Sequence, residues 1–157
     1  MYKLNEEKKR LEPVETLCQY CETEHSVDME DNFFIPLFKE KDRTNVVVYR
    51  SVKFSKIPVG IPRCKTCKQV HESAHTKAAL FSWGFCILFV IFVFAKWGPL
   101  GILAIIASIF IGFLGSHLLE KMFVRQKEIY TLRQGAEKNE AVQDLVLSGW
   151  SLNQPMA

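Results

Sequence analysis

Apolar residues dominate one long block of this chain, residues 78–119, in which Lys96 is the only formal charge. The block is about twice as long as the roughly 20 apolar residues that one helix needs to cross a bilayer core. A Lys-Trp-Gly-Pro segment, which begins at Lys96, interrupts it with the residue types of a turn. The pattern therefore predicts two transmembrane helices, 78–95 and 100–119, joined as a hairpin.

Ahead of this block, short runs of β-branched and aromatic residues alternate with charged stretches, a pattern typical of a small antiparallel sheet. The predicted strands are 33–38, 46–54 and 57–61. The charged residues 39–45 are predicted to form the turn between the first two strands. Pro36 favours an edge position for the first strand, because proline has no N–H to donate. The loosely helical spacing of apolar residues within 3–17 predicts a short N-terminal helix.

After the hairpin, apolar residues recur at helical spacing in two stretches. The first continues the second span through residues 118–130 and is predicted to end at Gly135, because glycine commonly follows a helix C-terminus. The second is predicted to begin at Asn139, a favourable N-cap, and to end at Gly149. We expect this tail to dock on the N-terminal domain, and binding of another protein is the alternative.

These patterns predict an α+β membrane protein with a small β-rich domain, a two-helix transmembrane hairpin and a helical C-terminal tail. The predicted domain boundaries are 1–77, 78–119 and 120–157. A soluble segment as short as the first of these buries a modest core and often needs a staple such as a metal ion.

The basic residues lie at the outer ends of the hairpin rather than in its loop. Four precede the first span, four follow the second and one lies between the spans: Arg63, Lys65, Lys68 and Lys77; Lys121, Arg125, Lys127 and Arg133; and Lys96. By the positive-inside rule, this distribution predicts that both termini face the cytoplasm. The charged start of the chain lacks the apolar stretch of a secretory signal. A formal net charge of +3 without a dense basic run predicts no nucleic-acid partner.

Four of the five cysteines form two CxxC pairs, Cys18 with Cys21 and Cys64 with Cys67. A CxxC turn brings two thiolates to one side of a tight loop, so that two such turns complete a tetrahedral four-sulfur site. Structural disulfides are rare in a reducing cytoplasm. Zn²⁺ is the ion we expect, in a structural role, because four sulfurs leave no open position for water. Iron in a redox site and thiol redox chemistry are the alternatives.

The two pairs resemble those of the zinc-ribbon class, over about residues 17–71. The resemblance implies a small β-rich domain with zinc between two knuckle turns, in a structural or partner-binding role. The interval between the pairs is longer than usual and calls for the predicted sheet as an insertion. His25, His71 and His75 lie nearby in sequence, but we do not expect them to bind an ion that four sulfurs already saturate.

The second span carries small residues at every fourth position. They form a small-xxx-small ridge, which lets another helix approach closely in lipid. The ridge residues are Ala104, Ser108, Gly112 and Ser116. We expect the ridge to pack on the first span of the same hairpin, with self-association or a foreign partner as the alternative. Cys86, in the first span, is interpreted as a small apolar residue.

The sequence contains no phosphate-binding, dinucleotide-binding, zinc-protease or nucleophile-elbow motif, and no pair of carboxylates stands out as acid and base. It therefore predicts a non-enzymatic, membrane-anchored zinc-ribbon protein that contacts the lipid bilayer and a protein partner or a second copy, without a small-molecule substrate. One alternative is a small oligomeric membrane effector assembled through the second transmembrane helix. Another is an iron-binding redox protein.

Overall fold

A computed structural model describes residues 1–46 and 49–156 of the chain. The chain divides into two compact units, one formed by 1–65 with 132–157 and the other by 66–131. The first unit contains a small mixed sheet and two short C-terminal helices, and the second contains two long apolar helices. The predicted α+β class is confirmed. The predicted domain boundaries follow the ends of the apolar block and stay a prediction.

The sheet of the first unit has four strands in the order β1-β2-β4-β3. Their bounds are Tyr2–Asn5 for β1, Arg10–Pro13 for β2, Phe33–Val46 for β3 and Tyr49–Ile61 for β4. The pairs β1–β2 and β3–β4 are antiparallel, whereas β2 runs parallel to β4 where Leu11 lies opposite Val59. Leu37, Val59 and Ile61 are fully buried and belong to the apolar core of this unit.

The N-terminal helix predicted within residues 3–17 is wrong, because this segment forms the β1–β2 hairpin. Its apolar residues are too few for a continuous helical face, whereas strand pairing sets Leu4 directly opposite Leu11. A hydrogen bond from Lys8 N to Asn5 Oδ1 (3.1 Å) closes the turn between the two strands. The parallel pairing of β2 with β4 makes the sheet mixed rather than purely antiparallel.

Strands β3 and β4 pair along their described length, with a bulge between Glu40 and Asp42. The charged residues 39–45, predicted as a turn, therefore continue β3, and that prediction is wrong. Charged side chains are tolerated in this part of the strand because most of them are exposed to water. β3 is an edge strand, as Pro36 predicted. The strand prediction also covered residues 47–48, which lie outside the described residues.

The second unit consists of helices α1 (Lys65–Trp97) and α2 (Gly101–Arg125). Both are long and apolar enough to cross a membrane, with mean hydropathies of 2.5 and 2.3 over their most apolar windows. Only 17% and 11% of those windows is buried, unlike the mostly buried core helix of a soluble protein. A short 3₁₀ turn, Gly98–Leu100, joins the helices where the sequence predicted a turn, and Gly98 has a φ of 57°.

The two helices of the second unit pack through small residues. The Ser82 hydroxyl donates a hydrogen bond to Gly112 O (2.9 Å), and the Cys86 thiol donates one to Ser108 O (3.3 Å). The predicted ridge is buried or half-buried at all four positions, Ala104, Ser108, Gly112 and Ser116. At Ser108 and Gly112 the ridge therefore faces α1 of the same chain. Its use between copies of the chain stays a prediction.

The C-terminal tail forms two short helices, α3 (Leu132–Lys138) and α4 (Glu140–Leu147). The predicted continuation of the membrane helix through 118–130 is wrong, because α2 ends at Arg125. Glu128 then adopts the left-handed region with a φ of 56°, which an α-helix cannot contain. Gly135 was predicted to end a helix, and this prediction is wrong, because Gly135 lies inside α3.

Both ends of α4 agree with the sequence. Asn139 is its N-cap, with Oδ1 accepting a hydrogen bond from Val142 N (3.3 Å), and Gly149 follows its C-terminus with a φ of 89°. The tail belongs to the first unit, where Ser151 pairs with Phe38 of β3 through two backbone hydrogen bonds of 2.8 and 2.7 Å. The tail therefore docks on the N-terminal part of the chain, as expected.

Candidate metal centre

The first CxxC pair lies in a tight turn that its own backbone closes. Glu22 N donates a hydrogen bond to Cys18 O (2.9 Å), and Cys18 N donates one to Glu24 O (2.8 Å). Glu22 has a φ of 57°, a left-handed conformation that reverses the chain directly after Cys21. This turn, the first knuckle (Cys18–Cys21), holds one fully buried and one half-buried thiol.

The second CxxC pair, the second knuckle (Cys64–Cys67), follows β4 closely, as the sequence predicted. Its last residue, Cys67, lies in the first turn of α1. The preceding residue, Arg63, is fixed by hydrogen bonds from its backbone N to Asn32 Oδ1 (3.2 Å) and from its Nε to Asp31 O (2.9 Å).

The four cysteine sulfurs of the two knuckles lie within 4.8 Å of one another. Cys21 Sγ and Cys64 Sγ are 3.8 Å apart, far longer than a disulfide, and the cysteines are free thiols. Tetrahedral zinc with Zn–S bonds of about 2.3 Å places its sulfurs about 3.8 Å apart. Cys18, Cys64 and Cys67 are each at most 2% exposed. The donor set and its spacing therefore fit one four-coordinate ion.

The local hydrogen bonds also favour a thiolate at Cys21, the half-buried member of this cluster. Burial raises the pKa of the Cys21 thiol, but hydrogen bonds from Thr23, from the backbone of Glu24 and from Cys18 outweigh it. Together they lower the pKa of Cys21 from 9.0 to about 6. Because Cys21 is largely a thiolate at neutral pH, a metal ion does not have to displace a proton from its sulfur.

The histidines close to the cysteines in sequence make other contacts. Thr16 Oγ1 and His25 Nδ1 lie 3.1 Å apart, His71 Nε2 lies 3.0 Å from Tyr130 O, and His75 is exposed. Within the described part of the chain, the group close enough to share an ion consists of the four cysteines alone. Cys86 is buried in the second unit, where its thiol contacts Ser108.

The tail residues that contact the first knuckle are not evident from the sequence. Tyr20, between the two cysteines of this knuckle, is 1% exposed, and its ring lies against Gly135 of α3. Asn139 ties the start of α4 to β1, because Tyr2 OH donates a hydrogen bond to its Oδ1 (3.0 Å). The available signal was Tyr20 itself, an aromatic side chain in a tight turn that needs a partner surface to be buried.

Comparisons with protein-family models, curated proteins and solved structures find no significant match to this chain. The description of this protein therefore depends on two features of its own structure. The protein has two helices long and apolar enough to cross a membrane, and a cluster of four cysteines consistent with a metal site.

Proposed function

We propose that this protein is a membrane-anchored zinc module in which a four-thiolate site has a structural role. The observation that carries the proposal is the convergence of all four Sγ atoms to within 4.8 Å of one another. The two knuckles are far apart in sequence and lie on different elements, one in a loop and one between β4 and α1. A shared ion explains why two such turns meet thiol to thiol.

Zinc is the preferred ion because it is redox-inert and favours tetrahedral thiolate coordination. Cys18, Cys21, Cys64 and Cys67 would supply its four bonds, with no position left for water or substrate. Bound there, zinc supplies a permanent cross-link between the two knuckles. The ion would therefore stabilise the first unit, and we propose no catalytic activity.

The direction of insertion follows from charge. Lys68 and Lys77 on α1, together with Lys121 and Arg125 on α2, lie at the open end of the hairpin, whereas Lys96 lies at its turn. By the positive-inside rule we propose that the open end and both termini face the cytoplasm. A reporter enzyme fused to either terminus should then be cytoplasmic, and an external location of either end would overturn this orientation.

A partner protein is the remaining part of the proposal. The large apolar side chains exposed on both helices suit contact with lipid acyl chains, so the hairpin would serve as the anchor. The first unit would then be held at the membrane surface as a binding module. Mild-detergent purification with identification of the proteins retained by the full chain, but not by a variant lacking the metal, tests this part.

Metal analysis of the full chain purified in detergent tests the central proposal. We expect one zinc per chain, lost in Cys64→Ser and kept in Cys86→Ser, a matched variant of the cysteine outside the cluster. A preparation that is coloured in visible light and contains iron would favour the redox alternative, because zinc thiolates are colourless. A wild-type protein that holds no metal would contradict both.

A further inference from the structure

The two residues between the cysteines of the first knuckle are both in contact with the C-terminal tail. They are Gln19 and Tyr20, and the tail residues that meet them are Asn139 and Gly135. All four belong to the first unit. The turn that would be fixed by the metal is therefore the same turn on which the tail docks.

The contact between Tyr20 and Gly135 leaves no room for a side chain. A Cβ atom added at Gly135 would lie 2.8 Å from Cδ1 and 3.0 Å from Cζ of the Tyr20 ring, and closer still to Cε1. Tyr20 is 1% exposed, and Ala136, next to the glycine, is fully buried. The ring cannot swing aside without disturbing either the knuckle or α3. Glycine is needed here for close approach, not for a turn.

The contact between Gln19 and Asn139 is polar. Asn139 is 6% exposed, and its Nδ2 donates a long hydrogen bond to Gln19 Oε1 (3.5 Å). Its Oδ1 accepts from both Tyr2 OH and Val142 N, so the same side chain caps α4 and reaches β1. A shift of the knuckle would therefore act on the N-terminus of α4 directly.

The end of the tail is attached to the sheet, away from the knuckle. Ser151 pairs with Phe38 at the edge of β3, and Lys39 Nζ donates a hydrogen bond to Ser148 O (3.2 Å). The start of the tail is therefore tied to the candidate metal centre, and its end is tied to the sheet.

We propose that residues 132–152 form a latch whose docking and the filling of the four-thiolate site stabilise each other. The proposal rests on the proposed function, since it requires that the site binds a metal. Metal bonds at Cys18 and Cys21 fix the shape of the turn that carries Gln19 and Tyr20, and the latch fits that shape. Because coupling between two binding events is reciprocal, complete undocking of the latch weakens metal binding by the same factor as metal loss weakens docking.

The first test measures Zn²⁺ affinity by competition with a chromophoric chelator, using the full chain in detergent. Gly135→Ala should weaken Zn²⁺ binding by about fivefold or more, the lower range of typical coupling between sites, although residue 135 touches no sulfur. Gly84→Ala is the matched control, because a Cβ there meets nothing within 4 Å. Should Gly135→Ala not fold, Asn139→Asp replaces it, since aspartate still caps α4 but cannot donate to Gln19.

The second test follows amide hydrogen exchange of the same protein before and after zinc removal. Amides of α3 and of the start of α4 should exchange faster, while the paired amides of β3 and β4 near Leu37 stay protected. Unchanged exchange in 132–147, an equal loss of protection across β3 and β4, or unaltered Zn²⁺ affinity in the folded variants would each overturn the latch and leave the metal site standing. A wild-type chain that binds no Zn²⁺ would overturn the proposed function and the latch with it.

Discussion

The two units of this protein bury opposite kinds of side chain. In the first unit, large apolar side chains such as Leu37 and Val59 are fully buried. In the second unit, the side chains that α1 buries from Ala74 onward are small and recur every four residues, at Ala74, Ala78, Ser82 and Cys86. There the large side chains are outside, with Leu88 69% and Phe110 72% exposed.

This difference shows what each unit requires from outside its own packing. The first unit has a conventional but small core, which by itself gives a marginal stability, so a metal staple would have a large effect. The second unit has almost no core of large side chains and its helices contact closely through small residues, so it would need hydrocarbon around it, as the proposed membrane insertion supplies. Substitutions that act on the staple, the lipid face and the helix contact should therefore have separate effects.

Cys64→Ser should have the largest effect, confined to the first unit. Structural Zn²⁺ binds zinc-finger peptides with about 10–16 kcal/mol, so its loss removes a large stabilisation from the segments that it cross-links. We expect the two knuckles, α3 and α4 to become protease-sensitive, while the paired strands β3 and β4 stay resistant and the hairpin stays in the membrane, as measured by limited proteolysis and alkaline extraction. Cys86→Ser is the control. Protease resistance equal to that of the wild type would argue against a structural metal.

Phe110→Arg should have the next largest effect, confined to the second unit. An arginine near the middle of a membrane helix costs about 2.5–3.5 kcal/mol in insertion experiments. The inserted fraction of the chain should fall, measured by a glycosylation-based insertion assay. Leu147→Arg, at a side chain that is 87% exposed on α4 of the first unit, should leave insertion unchanged. Equal tolerance of both substitutions would mean that Phe110 does not face lipid.

Gly112→Ile should have a moderate effect on the helix contact of the hairpin. A Cβ at Gly112 would lie 3.2 Å from Trp83 Cζ3, and overpacking of this kind typically costs about 1–3 kcal/mol. The thermal midpoint of the hairpin in detergent should fall, whereas Gly84→Ile, where a Cβ meets nothing within 4 Å, should not lower it. Midpoints that are the same in both variants would place the contact elsewhere.

The same pair of variants examines the oligomeric alternative. Crosslinking in native membranes should give mainly monomer if the ridge is used within one chain. A ladder of homo-oligomers that Gly112→Ile abolishes and Gly84→Ile preserves would favour the oligomeric effector instead.

Asn139→Ala should have the smallest effect, again in the first unit. Loss of a helix N-cap typically costs about 1 kcal/mol, and here the hydrogen bond from Tyr2 OH is lost as well. The denaturation midpoint of the first unit should fall slightly. Asn153→Ala, at an exposed position of the tail, is the control. A midpoint that does not move would show that the N-cap contributes nothing to this unit.

The features that sequence reasoning predicted are those that depend on composition or on short spacing. The hairpin was visible because its apolar block exceeds one span and is interrupted once, and the cysteine cluster because each CxxC pair is a local motif. Asn139 was recognised as an N-cap for the same reason. None of these required knowledge of which distant residues meet.

The features that it missed depend on contacts between distant segments. Residues 3–17, predicted as a helix, form the β1–β2 hairpin instead, and the contact that joins this hairpin to the sheet, Leu11 opposite Val59, lies far along the chain. Gly135 was read as a helix end because glycine usually has that role, whereas here it makes room for the Tyr20 ring. Residues 39–45 were predicted as a turn from their charge alone, since the pairing of β3 with β4 over nearly their whole length cannot be inferred locally.

X-ray absorption at the zinc edge, on the full chain purified in detergent, tests the central claim most directly. The account predicts a first coordination shell of four sulfurs at about 2.3 Å, with a sulfur lost in Cys21→Ser. A shell containing nitrogen or oxygen in the wild type, or a protein without bound zinc, would contradict it.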